Sequence, residues 1–541
     1  MLGAALVAKA LKRQGVSTIF SLSGNQIMPI YDACIDARIR IVHVRHEAAA
    51  VFMADAWAQV TGEIGVALLT AGPGVSNGIA PLFSARLSES PVLLLSGDSP
   101  LNEDGMGSFQ EMDQVTMSRP LTKLSERVRV IEALAPAVDR AIATALAPRQ
   151  GPVHLALPFD LLTAESGLDE LPAMIEPAAH SPLPSAALAE IAALLGSASK
   201  PLILVGPADC RAHRQTALKQ CSDALQVPII PMESPRGLRD PSLGAVAACI
   251  AEADVVVLLG KQIDFTLGFA RSAFAAGARV AVIDPEAQAL DRATRLLGPK
   301  LSVRCQADTA EALASLCATD RGHKPDRAGW STQVAAARAE RGLATPEPSS
   351  AISSPALCQA VQTQIDASEN TILVCDGGEF GQWAQAFCSA PIRLINGMSG
   401  AIGGGICYAI AAKIARPDAQ VVLLMGDGTA GFHFTEFDTA VREGAAFTAI
   451  IGNDLRWNAE HVIQMRTYGA DRLIGCSLSE TARYDRAAAA LGGYGASVDR
   501  ADQLVPALRA AMASGRPACL NVQIDGQPAP VFTGKAVAAT H

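Results

Sequence analysis

Short apolar segments that end in glycine or polar residues recur along this chain, and their repetition restricts the folds open to it. The first four are STIFSLSG, IRIVHVRHE, IGVALLTAGPG and PVLLLSGDSP, and a segment of helical length follows the turn. Parallel strands joined by crossover helices have this pattern, because strands covered on both faces are apolar along nearly their whole length. The sequence therefore predicts an α/β fold built on doubly wound parallel sheets.

The chain has 541 residues, which is too long for a single hydrophobic core. Two stretches interrupt the strand pattern: residues 164–184, rich in proline, serine and acidic residues, and the segment ATPEPSSAISSP, which begins at residue 344. Strand-like segments lie between them, from PLILVGPAD to ARVAVIDPEA, and after them, from NTILVCDGGEF to PACLNVQIDG. We therefore expect three doubly wound parallel-sheet domains in series, at residues 1–165, 185–343 and 354–530.

Charge and cysteine spacing restrict the classes of partner. The net charge is −9 without long runs of one sign, so the chain lacks the basic face that nucleic acid or an anionic membrane requires. The 12 cysteines form no CxxC pair and no zinc-like cluster with histidine, which argues against structural zinc or a disulfide framework. Residues 1–15 are typical of an amphipathic helix rather than a signal peptide, and no apolar run reaches the ~18 residues of a membrane span. We expect a cytoplasmic protein that binds small molecules.

The strongest functional signal is VVLLMGDGTAG followed by FTAIIGND. One apolar strand ends at the GDG motif with Asp427, and a second ends in Asp454, 27 residues later (454 − 427 = 27). Adjacent strand ends of a parallel sheet can direct both carboxylates at one point, where oxygen ligands suit Mg²⁺ with phosphate oxygens in its remaining positions. Gly428 and Thr429 would then hold a diphosphate. A GDG tripeptide alone is more often only a turn.

The two motifs resemble the thiamine-diphosphate signature, GDG followed by an Asn-Asn pair. The chain is similar over nearly its whole length to the superfamily of acetolactate synthases, benzoylformate decarboxylases and benzaldehyde lyases. The resemblance implies that thiamine diphosphate and Mg²⁺ are cofactors, with Asp427, Asp454 and the backbone carbonyl of Arg456 as metal ligands. Asp454 stands where the commonest pattern has asparagine, which adds a negative charge but keeps an oxygen ligand. Gly426 and Trp457 are also implied to bind the cofactor.

In the first domain, VRHEAAAVFMADAWAQVTG resembles the helix whose glutamate activates the cofactor, and Glu47 occupies that position. A carboxyl group that is hydrogen-bonded to the aminopyrimidine ring would favour the imino tautomer, whose nitrogen removes the thiazolium C2 proton. Without the resemblance, a glutamate stabilised by the helix dipole is the simpler interpretation. The segments FSLSGNQ, TAGPGVSNG and GSFQEM supply the remaining residues that the first domain is implied to contribute to the active site. They imply cofactor binding by Gly24, Gly74 and Asn77, and place Asn25, Gln26 and Gln110 on the substrate side.

In the third domain, INGMSGAIGGGICYA places Ile402 where a bulky apolar residue holds the cofactor bent, so that its own base reaches C2. An ordinary buried isoleucine is the alternative. Glu460 lies six residues after Asp454 (460 − 454 = 6) and matches the active-site glutamate of pyruvate decarboxylases, so it is a candidate proton relay. A solvated helix carboxylate is the alternative, and His461 is expected on the helix surface. The remaining implied cofactor-binding residues are Glu379, Phe380, Ser399 and Gly400.

Two departures bear on the reaction. Phe159 stands where acetolactate synthases usually carry a lysine, and Ser108, Phe109 and Gln110 stand where pyruvate decarboxylases usually carry a histidine pair. The leading hypothesis is a thiamine-diphosphate and Mg²⁺ dependent decarboxylase/carboligase acting on a 2-oxo acid, similar to acetolactate synthase. A decarboxylase that releases an aldehyde and a 2-hydroxy ketone lyase remain alternatives.

Two hypotheses from other classes are less well supported. A catalytically silent binding protein with this fold is expected to lack Glu47 or the metal carboxylates, all of which are present. A dinucleotide-binding oxidoreductase needs GxGxxG at its first helix, and SLSGNQ does not supply it. The middle domain shows no decisive phosphate loop, so FAD binding stays open. The resemblance also implies a homodimer or homotetramer in which Glu47 of one subunit faces the GDG domain of another.

Overall fold

The computed structural model describes residues 1–175, 181–319, 326–341, 351–395 and 397–530. Three parallel β-sheets follow one another along the chain, which confirms the predicted α/β class. Parts of both predicted linkers, residues 176–180 and 344–350, lie outside the described residues, as does the expected end of the middle domain at residue 343. The domain boundaries stay a prediction.

The first sheet contains six strands and is surrounded by seven helices. The strands are β1 (Thr18–Ser21), β2 (Arg40–His43), β3 (Gly65–Leu69), β4 (Val92–Asp98), β5 (Ser125–Arg127) and β6 (Val153–Pro158). The helices are α1 (Gly3–Arg13), α2 (Met28–Ala37), α3 (Glu47–Thr61), α4 (Pro73–Leu87), α5 (Gln114–Ser118), α6 (Leu134–Leu146) and α7 (Phe159–Thr163). The strand order is β2-β1-β3-β4-β6-β5, and every pair is parallel.

The second sheet contains five strands in the order β11-β10-β9-β7-β8, again all parallel. The strands are β7 (Pro201–Val205), β8 (Ile229–Pro231), β9 (Val255–Leu259), β10 (Arg279–Asp284) and β11 (Leu301–Gln306). The helices of this region are α8 (Ser185–Ser197), α9 (Ala212–Leu225), α10 (Val246–Glu252), α11 (Ala287–Leu297), α12 (Thr309–Ala318) and α13 (Ala328–Ala339).

The third sheet repeats the six-stranded arrangement, with the order β13-β12-β14-β15-β17-β16. The strands are β12 (Thr371–Cys375), β13 (Ile392–Ile395), β14 (Gln420–Gly426), β15 (Thr448–Asn453), β16 (Tyr494–Val498) and β17 (Ala518–Gln523). The helices are α14 (Ser354–Ile365), α15 (Gly378–Phe387), α16 (Gly405–Ala415), α17 (Asp427–Ala430), α18 (Glu436–Arg442), α19 (Asn458–Tyr468), α20 (Tyr484–Ala490) and α21 (Ala501–Ala513).

The first and third sheets belong to one compact unit, and the second sheet forms another. Helix α3 packs against α16, where the rings of Phe52 and Tyr408 contact each other edge-on with centroids 5.9 Å apart. The Tyr408 hydroxyl donates a hydrogen bond of 2.5 Å to the buried carboxylate of Asp55. A Cβ at Gly404, just before α16, would lie 3.0 Å from the Phe52 ring, so a glycine there allows the close contact. Residues around both sheets therefore share one hydrophobic core.

The described helices include none that is both long and apolar enough to cross a membrane. All twelve cysteines are free thiols, and all except Cys317 are buried. The buried cysteines therefore pack as small apolar residues in the described cores.

Candidate functional site

Asp427 and Asp454 follow two neighbouring strands of the third sheet. In the parallel register of β14 and β15, Gly426 pairs with Gly452. Asp427 comes directly after β14, and Asp454 comes directly after β15. Their exposed fractions are only 3% and 6%. The carboxyl ends of parallel strands meet at one edge of a sheet, so the structure brings the two predicted metal ligands together there.

The two carboxylates affect each other's protonation. Burial raises the pKa of Asp427 to about 6. Burial also raises the pKa of Asp454 to about 7, and the negative charge of Asp427 adds to that rise. Two adjacent buried carboxylates ionise together only at a cost unless a cation compensates their charge. The pair is therefore suited to hold a divalent cation.

The turn after β15 ties the two strand ends together. The backbone N–H groups of Leu455 and Arg456 face the Asp427 carboxyl group and lower its pKa against the effect of burial. Leu455 has a left-handed φ of 62°, and its N–H also lies 3.1 Å from the Asn453 side-chain oxygen. The Arg456 guanidinium folds back to donate to the Asp454 carbonyl at 3.1 Å. The turn is thus fixed by its own polar groups, while the predicted role of the Arg456 carbonyl stays a prediction.

Gly428 lies beneath an aromatic ring. A Cβ at this position would come within 2.7 Å of the Trp457 ring, so only glycine allows the ring to pack against the GDG turn. The Thr429 hydroxyl donates to the Gly426 carbonyl at 3.0 Å and so stabilises the same turn. A Cβ at Gly426 would meet no atom within 4 Å, which leaves space beside the backbone for a ligand.

Two polar residues that the sequence reasoning did not identify lie beside the pair. The Tyr484 hydroxyl donates to the Asp427 carbonyl at 3.0 Å. Asn458 donates to the Gly526 carbonyl at 2.7 Å, while its buried Oδ1 has no hydrogen-bond partner within the described ranges. No motif marks Tyr484, which lies 57 residues beyond Asp427 (484 − 427 = 57). The only sequence signal for Asn458 is its nearness to Asp454.

Glu460 and His461 lie near the start of α19. Glu460 is exposed. The His461 ring is half-buried and lies 3.4 Å from the Arg456 guanidinium. The proton-relay role of Glu460 stays a prediction, because an exposed carboxylate also fits the simpler alternative.

In the first domain, Glu47 is the first residue of α3, which begins just beyond the end of β2. The side chain of Asn77, on α4, donates to the Glu47 carboxylate at 3.0 Å. The His46 side chain caps the helix by accepting from the Ala48 N–H at 3.1 Å. The structure therefore brings together Glu47 and Asn77, which separate motifs assigned to the cofactor.

The residues after β1 and β3 meet at Thr70. A Cβ at Gly24 would lie 2.2 Å from the Thr70 Cβ, and a Cβ at Gly74 would lie 2.8 Å from its Cγ2. The Thr70 hydroxyl donates to the buried side chain of Gln26 at 2.5 Å, while the neighbouring Asn25 is exposed. The Gly24, Gln26 and Gly74 positions thus form one cluster at the carboxyl edge of the first sheet.

Gln110 belongs to a loop that packs onto the turn after β3. A Cβ placed on Gly72 would lie 3.1 Å from the Cβ of Gln110. Gln110 itself has a left-handed φ of 62°. Its buried Oε1 has no hydrogen-bond partner within the described parts of the chain. The Glu111 carboxylate accepts from three backbone N–H groups of the loop, of Gly105, Gly107 and Ser108. The loop is therefore ordered by Glu111, and Gln110 offers an unused acceptor.

The other predicted residues of the third domain occupy varied environments. Ile402 is half-buried in a loop that Asp376 holds through the N–H groups of Gly403 and Gly405, both at 2.9 Å. Phe380 is 4% exposed, and a Cβ at Gly452 would lie 2.6 Å from its ring, so it packs on β15. Glu379 is half-buried, Gly400 is exposed, and Ser399 lies 3.0 Å from the Ser84 hydroxyl. The cofactor contacts of these residues stay predictions.

We predict that Asp454→Asn stabilises the metal-free protein at neutral pH. Folded Asp454 keeps its proton up to about pH 7, whereas an unfolded aspartate loses it near pH 4, so the native protein loses stability as pH rises between these values. Asparagine has no such loss, so the variant should gain about 1–3 kcal/mol above pH 7. Thermal unfolding in a chelator from pH 4 to 8 measures the difference. Equal melting temperatures at pH 8 would contradict the prediction, and equality at pH 4 is its internal control.

Three family models match the chain. They are described as the N-terminal TPP binding domain (residues 1–117), the central domain (188–316) and the C-terminal TPP binding domain (376–522) of thiamine pyrophosphate enzymes. An acetolactate synthase large subunit of Mycobacterium tuberculosis is 34% identical over 544 residues, which cover 96% of this chain and 95% of the relative. The 2-hydroxyacyl-CoA lyase 2 of Bos taurus is 32% identical over 577 residues, which cover 96% of this chain and 89% of the relative. The chain therefore belongs to the thiamine pyrophosphate (thiamine diphosphate) dependent enzymes and is acetolactate synthase-like.

Proposed function

We propose that this enzyme is a Mg²⁺-dependent decarboxylase and carboligase that uses thiamine diphosphate to act on a 2-oxo acid. The observation that carries the proposal is the buried pair of Asp427 and Asp454 at adjacent strand ends, where burial raises both pKa values and the charge of Asp427 raises that of Asp454 further. Such a pair favours a divalent cation, and the GDG turn beside it favours a diphosphate.

The residues present fit these cofactors. Asp427, Asp454 and the Arg456 carbonyl would supply oxygen ligands, which suit Mg²⁺ when phosphate oxygens complete its octahedron. No group of three or more His, Cys, Asp or Glu side chains in the described ranges is arranged to hold a metal, which is consistent with an ion that shares its ligands with a diphosphate. The open space at Gly426 and the unpaired Oδ1 of Asn458 lie on this side of the sheet.

In the first domain, Glu47 would hold the aminopyrimidine ring and exchange a proton with its ring nitrogen. Asn77 donates to the Glu47 carboxylate at 3.0 Å and so restricts its orientation. Bound thiamine diphosphate supplies an electron sink for the carbon–carbon bond that is made or broken beside a carbonyl. The buried, unpaired Oε1 of Gln110 would accept a hydrogen bond from the substrate or cofactor.

A 2-hydroxyacyl thioester lyase is the second candidate. Phe159 begins α7 directly after β6, at the position where acetolactate synthases usually carry a lysine. An apolar side chain there does not favour the carboxylate of a 2-oxo acid, and a relative named 2-hydroxyacyl-CoA lyase 2 is 32% identical. No step of either reaction uses FAD, and the absorbance spectrum of purified protein tests whether the middle domain binds it.

A product screen separates the two candidates. The enzyme is incubated with pyruvate, benzoylformate, an oxalyl thioester, benzoin or a 2-hydroxyacyl thioester, each with and without an aldehyde acceptor. The proposal predicts CO₂ from a 2-oxo acid and a 2-hydroxy ketone when the acceptor is present. Cleavage of the 2-hydroxyacyl thioester to an aldehyde and a formyl thioester, without CO₂, would favour the lyase. Asp427→Ala protein serves as the blank.

We predict that Asp427→Ala loses cofactor affinity, because it removes one of two charged metal ligands. Titration of thiamine diphosphate in the presence of Mg²⁺ by calorimetry should show binding weakened at least about tenfold. Asp502→Ala is the matched control, since it removes an exposed carboxylate of the same domain that pairs with Arg500. Unchanged affinity in Asp427→Ala would refute the metal assignment.

We predict that Glu47→Gln slows activation of the bound cofactor while the fold and cofactor affinity change little. Glutamine keeps the size and a hydrogen bond but removes the exchangeable carboxyl proton. Because positioned acid–base groups contribute ~10² to 10⁴ in rate, hydrogen–deuterium exchange at C2 should slow by about that factor, as measured by quenching and proton NMR. Glu63→Gln, an exposed glutamate just after α3, is the control. A wild-type exchange rate in Glu47→Gln would exclude this residue as the activator.

The shared active site of a dimer is tested by mixing the two inactive variants. If Glu47 of one subunit serves the Asp427 site of the other, a mixed dimer contains one intact site and one doubly altered site. Random mixing should then restore about a quarter of the wild-type activity. No recovery after mixing and exchange of subunits would place both residues in the site of a single chain.

A further inference from the structure

Helix α18 holds the connection between β2 and α3. This connection leads into Glu47, and α18 follows the GDG turn in the chain, so the contact joins two segments that carry predicted cofactor residues. Four side chains of α18 and its C-terminal cap take part. The contacts are Glu436 with the N–H groups of Arg45 and His46, Asp438 with the Arg45 side chain, Arg442 with the His43 carbonyl, and Glu443 with the Arg40 side chain.

Glu436 differs from the other three because it is fully buried. Its Oε1 accepts from the backbone N–H of Arg45 at 2.9 Å and of His46 at 3.1 Å. Its Oε2 accepts from the Thr439 hydroxyl at 2.6 Å. The ion pairs of Asp438 and Glu443 are partly exposed and contribute little, whereas removing the buried Glu436 acceptor leaves two backbone N–H groups unpaired. Glu436 is therefore the contact of α18 that fixes the backbone before α3.

The two N–H groups that Glu436 binds belong to the residues directly before Glu47. His46 is the N-cap of α3, with φ −148° and ψ 140°, and Glu47 is the first helical residue. The direction of a side chain at the first helical position depends on the backbone at the cap. The side chain of Asn77, on the neighbouring helix α4, donates to the Glu47 carboxylate at 3.0 Å. Glu47 is thus fixed at its backbone by Glu436 and at its carboxylate by Asn77.

We propose that Glu436 is a positioning residue for Glu47: its buried carboxylate fixes the two peptide groups before Glu47 and so directs that side chain toward the cofactor. The proposal rests on the proposed function, in which Glu47 activates thiamine diphosphate. The proposal also gives α18 a role in two active sites. If active sites are shared between subunits, Glu436 links the GDG segment of one site to the Glu47 of the other.

The test compares three substitutions at this position. Glu436→Ala removes the acceptor, Glu436→Asp withdraws the carboxylate by one methylene, and Glu436→Gln keeps an acceptor oxygen in place without charge. We expect C2 exchange on bound cofactor to slow about 10- to 100-fold in Glu436→Ala, because small misplacements of a catalytic group have effects of this size. The C2 exchange rate of Glu436→Asp should lie between those of the wild type and Glu436→Ala, and Glu436→Gln should retain most of the wild-type rate.

A second readout uses protein without cofactor. Amide hydrogen exchange of peptides that contain residues 44–50 should accelerate in Glu436→Ala and return toward the wild-type rate in Glu436→Gln. Tyr408→Phe is the matched control for stability, since it removes a buried hydrogen bond to Asp55 between α3 and α16. It should lower the melting temperature without slowing C2 exchange. Glu443→Gln, which loses only the ion pair with Arg40, should change neither readout.

Several outcomes would overturn the proposal. One is wild-type C2 exchange and amide exchange in folded Glu436→Ala or, if that variant does not fold, in Glu436→Asp. Another is a Glu436→Gln variant as slow as Glu436→Ala, which would show that charge rather than hydrogen-bond acceptance matters. A third is equal slowing by Tyr408→Phe, which would reduce the effect to stability. If Glu47→Gln exchanges at the wild-type rate, the proposed function fails instead, and the amide exchange still tests the contact itself.

Discussion

The parallel direction of every strand is the constraint on which the rest of this molecule depends. In a parallel sheet all strands end at the same edge, so the loops that follow them collect there regardless of their distance in sequence. This is why residues after β1, β2 and β3 surround Thr70 and Glu47, and why β14 and β15 deliver Asp427 and Asp454 to one place. The second sheet is parallel throughout as well.

Buried carboxylates in the first and third domains illustrate two ways of compensating a charge. Asp376 and Glu436 each accept hydrogen bonds from backbone N–H groups, which lower the pKa of each carboxyl group against the rise that burial causes. Backbone N–H groups also lower the pKa of Asp427, yet Asp427 lies beside Asp454, and its charge adds to the rise in the pKa of Asp454. A carboxylate pair that the protein leaves partly uncompensated is typical of a site that awaits a cation. Carboxylates such as Asp376 and Glu436 organise the backbone, whereas the Asp427–Asp454 pair is suited to bind a cation.

Local sequence predicted those features that depend on local chemistry. The strands that end at GDG and just before VRHE follow from apolar runs that end in glycine or polar residues, and the edge position of Asp427 and Asp454 follows from parallel topology. The contacts of Glu436 with Arg45 and of Tyr484 with Asp427 could not be predicted, because they join residues far apart in sequence and no motif marks the partner. Resemblance assigned Phe380 to the cofactor but did not predict that its ring packs against Gly452 of β15. Resemblance locates a segment, whereas packing decides which way each side chain points.

The shared core of the first and third sheets also affects how the chain is made. The face of α3 that carries Phe52 is covered by α16, which begins 344 residues after α3 ends (405 − 61 = 344). At a synthesis rate of about 5–20 residues per second, α16 leaves the ribosome roughly 20–70 seconds after α3. During that interval the apolar face of α3 lacks the helix that covers it in the folded protein. Chains released before α16 is complete should therefore associate through this face, and chaperones that bind apolar helices should engage the growing chain there.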